Sequence, residues 1–124
     1  MAFMVTSPPH SNNTATALCF IEAALLNPSV EVLGVFFYQN GVLNASNVLA
    51  MPNDEFQALK GWQKLHETYQ VPLHLCITAG EKRGLSDEIT LAQGTHSNIS
   101  SHFIVSGLGE LVELTAKADR MVQL

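Results

Sequence analysis

Val30-Glu31-Val32-Leu33-Gly34-Val35-Phe36-Phe37 is a β-branched and aromatic run with almost no polar alternation. A strand with one wet face would alternate apolar and polar residues. A near-continuous apolar run instead suits a strand covered on both faces, as in a parallel sheet sandwiched between helices. Gln39-Asn40-Gly41 supplies the turn at its carboxyl end. On its amino side, Asn27-Pro28 stops a helix that begins at Ser11-Asn12-Asn13, whose side chains suit the cap, and that runs to about Leu26. Residues 2–6 form an apolar strand before it, ended by Ser7-Pro8-Pro9.

Beyond the central run, a short helix is predicted from Leu43 to Leu49. Pro52-Asn53-Asp54-Glu55 then caps a longer helix, and Phe56, Leu59, Trp62 and Leu65 recur at helical spacing as its core face. The third strand is Val71-Pro72-Leu73-His74-Leu75-Cys76-Ile77, followed by the loop Thr78-Ala79-Gly80-Glu81-Lys82-Arg83-Gly84. A third helix is expected from Ser86, capped by that side chain, with Asp87 and Glu88 complementing its dipole. Gly94 and Thr95 to Ser101 return the chain to a fourth strand, His102-Phe103-Ile104-Val105. After Gly107-Leu108-Gly109, a helix from Leu108 to Ala116 leads to a terminal strand, Asp119 to Leu124. Strands alternating with helices at this spacing predict an α/β fold. It is a flavodoxin-like three-layer sandwich of about five mostly parallel strands flanked by helices, with no linker or repeat to divide residues 1–124.

The composition bounds the function. Six Lys and Arg against 11 Asp and Glu leave a formal charge of −5, which argues against direct nucleic-acid binding, since a phosphate backbone needs a basic face. Charged residues make up only 14% of the chain, against about 25% in an average soluble protein, and a surface so poor in charge suggests subunit contacts. The N-terminus has no basic flank and reaches Pro8-Pro9 after a few apolar residues, so neither a secretory signal nor a membrane span is read there and a cytoplasmic location is expected. The 2 cysteines, Cys19 and Cys76, are then free thiols. They form no CxxC or Cys/His cluster, so no metal is expected.

Cys76 is the candidate nucleophile. It closes a sheet strand, and open α/β sheets place their chemistry at the carboxyl ends of strands. Thiolate is the reactive form, and Lys82, Arg83 and the expected helix start at Ser86 would favour it. His10, after the first strand, would face the same edge as a proton carrier, and Tyr38 and Asn40 would line the same pocket. His74 lies on the face of Cys76, but side chains two apart on a strand are about 7 Å apart, too far for a direct dyad. Cys19 fits a packed helix face with Ala15, Leu18 and Leu26. Gly107-Leu108-Gly109 copies only part of a dinucleotide fingerprint, because Val112 stands at its third glycine position, and Thr6-Ser7-Pro8-Pro9-His10 has no glycine for a flavin phosphate loop. No cofactor is expected.

Taken in order, several segments resemble the DsrE-like sulfur-relay family across the whole chain. They are Val35-Phe36-Phe37-Tyr38 with Gly41-Val42 and Ala45, Trp62 with Leu65, Leu75-Cys76 followed by Arg83-Gly84, and Ser106-Gly107-Leu108-Gly109 with Asp119-Arg120. The resemblance implies a sulfurtransferase subunit that assembles with TusB-like and TusC-like paralogues into a heterohexamer, a dimer of heterotrimers. It implies that Cys76 takes sulfane sulfur as a persulfide from a TusA-like donor. The sulfur would pass to a TusE-like acceptor, feeding 2-thiouridine formation at the tRNA wobble position without direct contact to nucleic acid. Family members often carry an Arg-Arg pair before the glycine; Lys82 replaces the first arginine, keeping the charge but losing the bidentate fork. A DsrE-type subunit of a dissimilatory sulfur-oxidation relay and a non-catalytic scaffold subunit are the alternatives that the same residues leave open.

Overall fold

The computed structural model describes all 124 residues. Five strands form one parallel sheet: β1 (Ala2–Val5), β2 (Gly34–Phe37), β3 (Leu73–Cys76), β6 (Ile104–Ser106) and β7 (Met121–Gln123). A separate antiparallel hairpin joins β4 (Ile89–Leu91) to β5 (Gly94–His96). Along the main sheet the order is β6-β3-β2-β1-β7. The chain thus steps from β1 outward to β6 in one direction, then returns across the whole sheet to β7. Strands stepping in one direction carry their connections on one face, and the reverse crossing carries its helix on the other.

Side-chain contacts show both layers. On the first face, α1 (Asn12–Leu26) sets Phe20 edge-on to Phe3, and α2 (Ala58–Tyr69) sets Trp62 edge-on to Phe37. The helices approach so closely that a Cβ on Gly61 would lie 2.8 Å from Leu18. On the second face, α4 (Leu108–Lys117) lays Leu114 against Gly34. β2 and β3 are buried along their whole lengths, as the unalternating Val30–Phe37 run requires of a central strand. The expected three-layer α/β arrangement is therefore present. Counted by position in the sheet, the order 4-3-2-1-5 differs from flavodoxin's own 2-1-3-4-5.

Several sequence expectations are corrected. The central strand is only Gly34–Phe37, with Val30–Leu33 leading into it. The helix expected at Leu43–Leu49 is a 3₁₀ helix over Gln39–Ala45, so the turn residues open it. Pro52–Glu55 does not cap α2, which starts at Ala58; Phe56 precedes it and is exposed, while Trp62 and Leu65 are buried. The helix expected from Ser86 is absent. Instead a short helix, α3 (Ile77–Glu81), follows Cys76 directly, and Ser86 leads into the hairpin. Ile89 and Thr90 are β-branched, and Gly94 turns the chain at φ +119°. The Ser86 hydroxyl accepts from the Glu88 amide at 3.1 Å, a local turn and not a helix cap. Cys19 is exposed, because the apolar face of α1 runs through Thr14, Ala17, Leu18 and Ile21.

The carboxyl edge of the sheet is held by one buried amide. Asn44 Nδ2 donates to the carbonyls of Ser7 (2.9 Å) and Gly41 (2.8 Å), and its Oδ1 accepts from Trp62 Nε1 (2.9 Å). This ties the loop after β1, the 3₁₀ helix and α2 together. Gly41 must lack a side chain, since a Cβ there would fall 2.0 Å from the Val5 carbonyl oxygen. Asn44→Ala leaves the buried Trp62 N–H without its acceptor and takes the Asn44 donor from the Gly41 carbonyl and from the Ser7 carbonyl, which keeps Thr14, and is expected to cost about 3 kcal/mol. Denaturant unfolding followed by the fluorescence of Trp62, the single tryptophan, measures this; a loss under about 1 kcal/mol would show that the amide is not a keystone.

Candidate functional site

Cys76 is the last residue of β3 and the capping residue of α3, so its side chain is delivered to the carboxyl edge by a strand buried at every position. It borders a cavity of about 310 Å³ lined by Tyr38, Gln39, Thr78, Ala79, Lys82, Arg83 and Leu108. A strand end, the start of the 3₁₀ helix, α3 and the start of α4 each contribute to that wall. The Cys76 residue itself is only 1% exposed, so its sulfur is reached through the cavity and not from open solvent.

Arg83 is fixed in place. Its Nε donates to Asn40 Oδ1 at 2.9 Å and its Nη1 to the Ala79 carbonyl at 2.9 Å. Two of the five guanidinium N–H groups are thus committed to structure, and the charge is pinned to the cavity wall. Lys82 is exposed and lines the same wall, its ammonium a point charge on a flexible stem. Gln39 holds a left-handed backbone, φ +51°, uncommon for a residue with a side chain. The arrangement presents one thiol to a small cavity with two cations beside it, suited to a substrate that is anionic at sulfur.

Of the residues expected at the site, the structure brings together Cys76, Tyr38, Lys82 and Arg83, with Asn40 as the Arg83 partner. It does not bring His10, which lines a separate hollow with Pro9, Met51 and Phe56, or Ser86, which sits beyond Gly84 among the hairpin's hydrogen bonds. The Ser86 helix dipole proposed to act on the thiol is therefore absent. A larger hollow of about 460 Å³ lies at the opposite end of the strands beside Met1, Asp119 and Arg120, with neither a cysteine nor a histidine in its wall.

The sequence reading missed a cluster behind Cys76. His74 shares its sheet face, two residues earlier on the same strand. Its Nδ1 meets Ser106 Oγ at 3.1 Å, and its Nε2 lies 3.6 Å from the Glu110 carboxylate of α4. Ser106 is the register partner of Cys76 on the adjacent strand. Burial pushes the His74 pKa below its ordinary 6.5, with Glu110 pulling partly back. Only the β3–β6 register joins these residues, and it is not visible along the chain.

The DsrE/DsrF-like family model matches residues 1–124. A protein of Klebsiella pneumoniae subsp. pneumoniae named sulfurtransferase TusD is 41% identical over 98% of this chain and 97% of its own length. The TusD of Pectobacterium atrosepticum is 37% identical over 97% and 95%, and the TusD homologue of Haemophilus influenzae 35% over 97% and 95%. The crystal structure of the ychN protein from E. coli superposes with a TM-score of 0.70 at 19% identity, covering 99% of this chain and 97% of that one, a likeness of fold. The chain belongs to the DsrE/DsrF-like family, and the resemblance read from Cys76, Arg83-Gly84 and Ser106-Gly107-Leu108-Gly109 is borne out. No helix is long and apolar enough to cross a membrane.

The depressed His74 pKa makes stability depend on pH. Below about 6.5 the unfolded chain binds a proton that the folded chain resists, so stability is full above that pH and is lost as pH falls. Denaturant unfolding at a series of pH values should show this acid loss, and His74→Asn should flatten it. An unchanged slope in the variant would place the acid sensitivity elsewhere.

Proposed function

We propose that this DsrE/DsrF-like chain is a sulfurtransferase subunit of a sulfur relay, with Cys76 carrying sulfane sulfur as a persulfide. The observation that carries this reading is the placement of Cys76 at the carboxyl edge, in a cavity walled by Lys82 and the pinned Arg83. Thiol exchange at sulfur depends on thiolate, on the leaving thiol and on access, and needs no metal or organic cofactor. The cations offset negative charge on Cys76 and on a bound persulfide. The cavity gives a terminal sulfur a path to the buried thiol.

In this reading the donor is a TusA-like protein and the acceptor a TusE-like protein, and the sulfur is destined for 2-thiouridine at the tRNA wobble position. The chain acts in the cytoplasm as one domain, within a heterohexamer with TusB-like and TusC-like subunits. Exposed Ile104, Val105, Leu108 and Val112 on the edge strand β6 and on α4 support a covered surface beside the site. The acidic balance of the chain agrees with a subunit that never grips the tRNA.

Intact-mass spectrometry after incubation with a persulfidated donor tests the carrier role. Wild type and Cys19→Ser should gain one sulfur atom and Cys76→Ser none; no gain in the protein assembled with its partners would leave a scaffold subunit. Arg83→Ala should slow sulfur uptake about tenfold, as expected when one charge-assisted contact worth about 1.5 kcal/mol is lost. Its effect on unfolding should be smaller than that. Unchanged uptake kinetics would reject a role for the guanidinium.

A further inference from the structure

We propose that Asn40 is a positioning residue for the Cys76 cavity. Through a neutral acceptor it fixes the Arg83 guanidinium in the cavity wall with its charge uncancelled, and so makes the cavity selective for anionic sulfur species. The proposal rests on the reading of Cys76 as a sulfur carrier and adds what sets the charge of the species that reaches it.

The contacts hold the guanidinium without neutralising it. Asn40 Oδ1 accepts from Arg83 Nε at 2.9 Å, across 43 positions of chain, and the Ala79 carbonyl accepts from Arg83 Nη1 at 2.9 Å. Both acceptors are uncharged. Of the six Lys and Arg, only Lys117 meets a side-chain carboxylate, Glu113 at 3.4 Å. In a chain with 11 Asp and Glu, the two cations of the cavity wall are therefore left unpaired. A carboxylate at position 40 would orient Arg83 equally well and cancel its charge; an amide orients it and leaves the charge in place. The two bonds use two of the five guanidinium N–H groups, so three stay uncommitted on a residue that lines the cavity.

Both ends of the Asn40–Arg83 bond stand on anchored backbone. Tyr38 N donates to the Val5 carbonyl at 3.0 Å and Gly41 N to the Tyr38 carbonyl at 2.9 Å, with Gln39 between them at φ +51°. Arg83 N donates to the Gly80 carbonyl of α3 at 2.9 Å. An arginine ordered before its ligand arrives loses less freedom on binding than a free one. Lys82 lines the same wall and adds charge without a fixed direction. Asn40 is exposed, and Arg83 is its one side-chain partner, so removing its amide costs the fold little.

The test compares alkylation of Cys76 by iodoacetate and by iodoacetamide at one neutral pH, all in a Cys19→Ser background. Both reagents lose iodide to the same thiolate, so a change in the ratio of their rate constants between variants cancels the thiolate fraction and reads the reagent's charge. Arg83→Gln should lower the iodoacetate-to-iodoacetamide ratio about tenfold. Asn40→Ala should lower it about threefold, since the guanidinium remains but loses its orientation. Asn40→Asp should lower it as far as Arg83→Gln does, because the new carboxylate cancels the charge. Adding Asn40→Ala to Arg83→Gln should change nothing further, as expected of a residue that acts through the guanidinium. Sulfur uptake from glutathione persulfide should fall in the same order. A bond that only staples the 3₁₀ helix to the loop after α3 would shift the urea midpoint of Asn40→Ala and leave its ratio unmoved; that result overturns the proposal and, with uptake intact, spares the carrier reading. A further fall in the double variant, or a Cys76 inert to both reagents, would overturn it as well. Ratios that move as expected while no protein takes up sulfur would sink the carrier reading and leave the charge selection standing.

Discussion

The buried Asn44 amide is the constraint on which the carboxyl edge of this sheet depends. A side chain at 1% exposure with three polar partners must satisfy all of them, and its partners sit on three different segments. Trp62, held by that amide, packs on Phe37, and Phe37 packs on Phe103 just before β6. Gly41, pressed against the Val5 carbonyl, sets the path of the 3₁₀ helix. Asn40 on that helix then receives Arg83. A polar contact in the core thus governs where a cation stands beside the reactive cysteine.

Charge is sparse in this chain, and its placement is correspondingly informative. The cations of the loop after β3 gather at the Cys76 cavity, whereas the histidine behind it is neutralised by burial and answered by one carboxylate. Positive charge stands beside the thiol, and the neutral imidazole lies behind it on the same sheet face. The two halves come from opposite sides of one residue, since Cys76 ends β3 and begins α3.

The differences between sequence and structure have local causes. Ser86-Asp87-Glu88 is a sound helix-start pattern, but β-branched Ile89 and Thr90 follow it and Gly94 reverses the chain, so a hairpin forms there. The helix instead begins nine residues earlier at Ile77, where packing of Gly80 under Leu85 and burial of Ala79 outweigh a weak propensity. Phe56 matched the helical spacing of Trp62 but falls outside α2, because periodicity marks a face and does not mark where a helix begins. Cys19 is exposed for a similar reason: one position of rotation along α1 separates it from buried Leu18.

By itself the sequence determined the parallel α/β layering, the caps of α1, the C-terminal helix and strand, and the prominence of Cys76. Those depend on local pattern: unalternating apolar runs, capping residues, and a cysteine closing a strand before a basic loop. Only the tertiary structure decided that Arg83 would be pinned by Asn40, that His10 and Ser86 would stand away from the thiol, and that His74, Ser106 and Glu110 would meet behind it. His74 and Ser106 are 32 positions apart, and they touch because β3 and β6 pair in one register. Register is set by burying whole strand faces at once, and no single stretch of chain encodes it.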